Sequence, residues 1–146
     1  MPDDAASGRF RFPILLGSLL MAGAGFLTWW QSGGETVRGV PLPLQAGIGL
    51  EGPGLVVFGV ALLALALLDV GFMRGRWGFA LDTAWAYLLL GLVAGAALGY
   101  RLWELWSVGF VPLPLRSPGL AAAATGIGLM LYGAGRGLGE RRTAAR

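Results

Sequence analysis

Four long apolar runs alternate with short charged stretches along this chain. The first run covers about 12–30 and carries no charge. The second covers about 55–73, with one acid, Asp69, near its end. The third (83–100) and fourth (117–135) are uncharged. Each approaches the ~20 residues that span a hydrocarbon layer of roughly 30 Å. Backbone polar groups facing lipid must find partners within their own segment, so such runs are expected to be helical. The pattern therefore predicts an all-α membrane protein with four transmembrane helices packed as a bundle.

The placement of arginine sets the expected direction. With the N-terminus inside the cell, the inner side holds Arg9, Arg11, Arg74, Arg76, Arg136, Arg141, Arg142 and Arg146. The outer side holds Arg38, Arg101 and Arg116, balanced by Glu35, Glu51 and Glu104. That excess satisfies the positive-inside rule with both termini cytoplasmic. The expected organisation is a cytoplasmic segment 1–11, a first hairpin 12–73 with a long outer loop, and an inner loop 74–82. A second hairpin 83–135 and a basic tail 136–146 follow. The tail's first expected role is to fix topology; holding anionic headgroups is the second.

Composition narrows the chemistry. Only 13% of residues are charged, against about 25% in soluble domains. All 11 basic residues are Arg, and Lys and Asn are absent. That bias points to a GC-rich genome, and the expected location is a bacterial plasma membrane. Without His or Cys, the chain lacks the usual ligands of haem, zinc, copper and iron–sulfur clusters, so no cofactor is expected. It also lacks the commonest general base. Ser7, Ser18, Ser32, Ser107 and Ser117 have no histidine to activate them, and an enzyme is not expected.

The pentapeptide VPLPL occurs at Val40–Leu44 and again at Val111–Leu115. Each copy is followed by Pro-Gly-Leu, at Pro53–Leu55 and Pro118–Leu120, which opens the next apolar run. Each is preceded by two tryptophans, Trp29 and Trp30 or Trp103 and Trp106. Order and placement predict two tandem hairpins of one design, a parallel internal repeat about the membrane normal. Ala22-Gly23-Ala24 resembles a signal-peptidase site. The apolar run continues past it, however, and the repeat equates span one with span three, so span one is expected to be retained. Alternate prolines favour an extended, polyproline-like path. The loop at 31–54 is long for a connection without structure of its own, and such loops are often functional.

Further motifs carry less chemistry. Gly47–Gly52 fits G-x-G-x-x-G but has no flanking βα context, so turn formation is the expected role. Gly91, Gly95 and Gly99 share one helix face and are the expected close helix-packing ridge. Ser18 with Ala22, and Ala124 with Gly128, offer weaker ridges. Arg101, Trp103, Glu104 and Trp106, with Trp29 and Trp30, form a candidate outer-face binding cluster. Its structural alternative is an aromatic belt with one surface ion pair. Asp69 and Asp82 flank the inner loop, where nearby arginines balance them. No charge sits at the middle of a span, which argues against an ion-coupled transporter or a charged pore.

These features lead to an expected non-enzymatic accessory or scaffold subunit of a larger membrane complex. Its expected partners are the bilayer and another membrane protein or a second copy, with no nucleic acid. The alternative is binding or transport of a lipid or apolar small molecule, which requires a continuous cavity between the hairpins.

Overall fold

A computed structural model of the chain describes residues 4–32, 36–41, 45–72, 83–108 and 117–144. It is mostly helical, with four α-helices among the described residues: α1 Asp4–Ala24, α2 Pro53–Phe72, α3 Ala84–Ser107 and α4 Pro118–Ala144. The helices alternate in direction around a bundle. α1 packs on α2 and α4, and α3 packs on α2 and α4. Along α3 the buried positions are Ala84, Tyr87, Gly91, Ala94, Leu98 and Leu105. This alternation of three and four residues is the seam of helices crossing at about 20°.

Local chemistry explains the helix ends. Both Pro-Gly-Leu elements open helices, at Pro53 and Pro118. Proline suits the first helical position, where its missing N–H is not needed. Thr83 caps α3, its hydroxyl accepting from the Ala86 N–H at 3.3 Å. α1 unwinds through Gly25, Phe26 and Leu27, whose N–H groups donate to the carbonyls of Ala22, Gly23 and Ala24.

The expectation of a purely helical chain is corrected in the first connection. Strand β1 (Thr28–Ser32) pairs antiparallel with β4 (Gln45–Ile48), and between them in sequence β2 (Thr36–Val37) pairs with β3 (Val40–Pro41). The described residues of this connection thus form two short antiparallel strand pairs, together the ribbon. Arg38 and Gly39 turn the inner hairpin with φ of 52° and 80°. Two positive φ angles give the turn whose twist matches paired strands. Val40 and Pro41 lie on strand β3, and the rest of the first VPLPL copy and all of the second lie outside the described residues. Asp82 and the inner loop lie outside them too.

The expectation of four spans is also corrected in part. One described helix, Ala84–Ser107, is long and apolar enough to cross a membrane. Arg11–Ala24 and Pro53–Asp69 are shorter apolar stretches. The first run loses its last residues because Thr28–Ser32 is strand rather than helix. The fourth helix, rich in glycine, continues to Ala144, so most of the expected tail is helical.

Small residues take a large share of the core, beside larger ones such as Ile14, Met21, Trp29, Tyr87 and Met130. Ala24, Ala61, Ala64, Ala94, Ala123 and Ala134 are buried, whereas Leu15, Leu19, Leu55, Leu62, Leu63, Leu89 and Leu92 are exposed. The closest helix approach is α1 on α4. A Cβ on Gly17 would lie 2.5 Å from the Gly126 carbonyl oxygen, and one on Gly126 would lie 2.6 Å from that of Gly17. The predicted ridge on α3 is used only at its start. Gly91 faces Leu131, Gly95 meets only Ile127 at 3.8 Å, and Gly99 faces open space. The reason is geometric: α4 lies close to α3 at Gly91 and leaves Gly99 outside the seam. Neither weaker ridge carries the closest contact, which falls one position before Ser18 and two before Gly128.

A two-fold relation between the hairpins would make the α1–α4 and α2–α3 seams equivalent. They are unlike, for α1–α4 is much the more extensive.

Candidate functional site

The ribbon, the C-terminal end of α3 and the N-terminal end of α4 meet at one end of the bundle. Trp29 organises this junction. It is the extra residue of a bulge: Thr28 pairs with Ile48 and Trp30 with Gly47, leaving Trp29 without a ladder partner. A bulge re-aims the side chain it inserts. Here it turns the indole inward, to 1% exposure, where Nε1 donates to the Ala24 carbonyl at 2.7 Å. One side chain thus caps the end of α1 and fills the core. Gly49 and Gly119 are where the ribbon and α4 touch its ring; a Cβ at either would overlap the indole. Trp29 was expected at an outer binding surface, and that expectation is corrected. A strand bulge, not a helix end, sets its direction.

Trp30 faces the other way and is half-buried. Its indole occupies the space a Cβ on Gly47 would need, and Glu51 Oε2 lies 2.8 Å from that same point. The glycine spacing read as turn-forming therefore has a second role, making room for two indoles at Gly47 and Gly49. Gly52, with φ of 54°, is the one that turns the backbone.

Between the ribbon and α3 lies a cleft of about 460 Å³. It is lined by Trp30, Ser32, Gln45 and Glu51 on one side and Arg101, Glu104, Leu105 and Val108 on the other. The lining follows from two periodicities. Trp30 and Ser32 alternate to one face of β1, and Gln45 is paired with Ser32 across the ribbon. Arg101, Glu104, Leu105 and Val108 stand at helical spacing along one face of α3.

Arg101 Nη1 donates to Glu104 Oε2 at 2.6 Å. The Arg101 side chain is only 12% exposed, Glu104 is 48% exposed, and the buried Arg101 Nε has no hydrogen-bond partner. Leaving a buried donor unmet costs about 1–3 kcal/mol. The described lining holds one guanidinium and two carboxylates, Glu104 beside Arg101 on α3 and Glu51 opposite.

The cleft thus unites Arg101, Glu104 and Trp30 from the expected cluster. Trp103 and Trp106 stand outside it, 73% and 72% exposed on the rim of α3. Sequence reading did not single out Ser32, Gln45 or Glu51 for the site. The signal for them was the Val37-Arg38-Gly39-Val40 hairpin turn, which would have set the ribbon's register. Two serines outside the cleft are occupied locally: the Ser18 hydroxyl donates to the Ile14 carbonyl at 2.8 Å and that of Ser107 to Glu104 at 2.7 Å.

Nothing among protein-family models, curated proteins or solved structures matches this chain.

Proposed function

We propose that the chain is a multi-pass protein of a bacterial plasma membrane, with four spans, cytoplasmic termini and two hairpins of one design. In this reading it serves as a non-enzymatic accessory or scaffold subunit beside a larger membrane complex. The observation that carries the reading is the apolar outer surface of the bundle: leucine, valine and tryptophan side chains face outward on α1, α2 and α3, while alanine and glycine take a large share of an interior that also holds Ile14, Met21, Tyr87 and Met130. In water the large apolar side chains belong inside. In lipid, where burying them gains little, helices associate through small residues that allow close backbone approach. Among the described residues, only α3 is both long and apolar enough for a full span. The ends of the other helices are carried by the ribbon, by their polar flanks or by a partner's helices.

The scaffold role draws its support from the filled interior. Gly17 and Gly126 bring two backbones into contact, and Met21, Met130 and Trp29 are buried in the same core. That packing disfavours the alternative, carriage of an apolar molecule between the hairpins.

The test is extraction from native membranes in a mild maltoside, followed by cross-linking and mass spectrometry. A stoichiometric protein partner on the apolar helix faces is the expected result. A chain that purifies alone as a monomer overturns the scaffold role. Release of the chain from membranes by alkaline carbonate overturns the four-span reading.

A further inference from the structure

We propose that the end of the bundle where α1 begins and α4 finishes binds the headgroups of anionic phospholipids in preference to zwitterionic ones. The inference rests on the membrane reading above and adds a partner to one end of it. Its first support is depth. Gly17 sits between Gly126 and Met130, and Gly126 sits between Gly17 and Met21. The two helices therefore run antiparallel, with Arg9 level with Arg136 and Arg11 level with Ala134. Gly91 meets Leu131 and Gly95 meets Ile127, which puts Trp85 of α3 near the same level. At 1.5 Å per residue, Trp85 lies about 27 Å along α3 from Trp103, and Arg136 about 27 Å along α4 from Pro118. Both intervals match a hydrocarbon layer of roughly 30 Å. Trp85 and Trp103 are both exposed, as indoles at two interfaces are.

The second support is the order of charge at that end. The acids of α1 and α4, Asp4 and Glu140, stand about 6–8 Å beyond the level of Arg136. A phosphate at the edge of the hydrocarbon therefore meets guanidinium before carboxylate. Asp69, exposed near the end of α2, stands across the bundle, since α4 packs on α1 and α3. Over the whole sequence, segments 1–11, 69–82 and 136–146 carry eight arginines and five acids, while the rest of the chain carries three of each. The third support is Arg136 itself. Its guanidinium carbon stands 5.9 Å from the centre of the exposed Tyr132 ring, with no carboxylate partner among the described residues. A cation–π contact holds the charge at this depth, and a guanidinium takes a phosphate through two parallel N–H···O bonds. α4 continues unbroken to Ala144 and carries Arg141 and Arg142 within two turns of Arg136. The fitting headgroup is a phosphodiester without an amine, such as phosphatidylglycerol. A zwitterionic headgroup brings a cation that the arginines repel.

The experiment is electron spin resonance of the full chain in phosphatidylcholine vesicles holding a trace of spin-labelled lipid. Labelled phosphatidylglycerol and labelled phosphatidylcholine are compared by the fraction of each that the protein immobilises. Phosphatidylglycerol is expected to associate at least about threefold more strongly at low salt, and the preference is expected to fall as salt screens it. Arg136→Gln is expected to lower the preference by about a third or more. Adding Arg141→Gln and Arg142→Gln is expected to bring the two lipids within about 1.5-fold. Arg136→Lys, which keeps the charge, is expected to retain the preference, and Arg38→Gln, in the ribbon turn, to leave it unchanged. Equal association of the two labels with the unaltered chain overturns the proposal. So does a preference that survives the triple substitution, or one lost as fully in Arg38→Gln. If the triple variant also immobilises less phosphatidylcholine, its fold has suffered and Arg136→Gln alone decides. No immobilised label of either kind, with release of the chain by carbonate, defeats the membrane reading as well. Equal immobilised fractions defeat this inference alone, so the two failures are distinguishable.

Discussion

Trp29 and Trp30 occupy the place before the first VPLPL that Trp103 and Trp106 occupy before the second, and the structure treats the pairs oppositely. The first pair lies on a strand. A bulge there drives Trp29 into the core and leaves Trp30 lining the cleft. The second pair lies on the last turns of a helix, three residues apart and on one exposed face. Similar position in a repeat therefore does not imply similar burial. The backbone conformation that follows decides whether an indole is a core residue or a rim residue. The first connection became a ribbon with its own register, and Trp29 became structural.

The contrast breaks first under truncation of the indoles. Trp29→Ala is expected to destabilise the protein by about 3–5 kcal/mol, the usual cost of emptying an aromatic site in a core. Trp103→Ala and Trp106→Ala are expected to stay within about 0.5 kcal/mol, as surface changes do. Unfolding in mixed micelles as dodecyl sulfate is titrated in measures all three. Equal losses would mean that both pairs play the same role.

A second contrast sets Gly17 and Gly126 against Gly99. Gly126→Ala or Gly17→Ala forces a Cβ onto backbone atoms that cannot move aside, and overpacking of this kind costs about 1–3 kcal/mol. Gly99→Ala meets open space and is expected to be neutral or to gain up to about 1 kcal/mol from helix propensity. Thermal unfolding in maltoside separates the two. A large loss at Gly99 would restore the α3 ridge as the main seam.

The ribbon itself is probed at Gly39, where φ of 80° penalises any Cβ. Gly39→Ala is expected to cost about 1–2 kcal/mol and to quicken amide exchange along β2 and β3. The smallest effect is expected at Gly91 and Gly95. Gly91→Ala presses on Leu131 Cδ2 and Cγ, a side chain rather than backbone, and Gly95→Ala meets only ordinary contact, so losses are expected to stay below those at Gly17 and Gly126.

The sequence made several elements legible. The helix starts at Pro53 and Pro118 were legible in the two Pro-Gly-Leu elements. The pairing of Arg101 with Glu104 followed from spacing. Other features did not. The ribbon was hidden because its strands are short, two to five residues each, without clean alternation. The Gly17–Gly126 contact was hidden because glycine is abundant, with 26 in the chain, and pattern alone does not say which face meets which. The cleft was half visible: α3 supplied its residues at regular spacing, while the ribbon supplied its share through a register that only folding fixes.

By itself, the sequence determined four apolar segments, their proline and threonine boundaries, and the absence of histidine and cysteine chemistry. These are local properties, set by dihedral limits and side-chain type. The tertiary structure alone decided that Trp29 is core and Trp103 is rim, that α1 rather than α3 makes the tightest contact with α4, and that Trp30, Glu51 and Arg101 share a cleft. Those are relations between segments far apart in sequence. They depend on which small residues let backbones approach and on the single-residue bulge that reverses the direction of an indole.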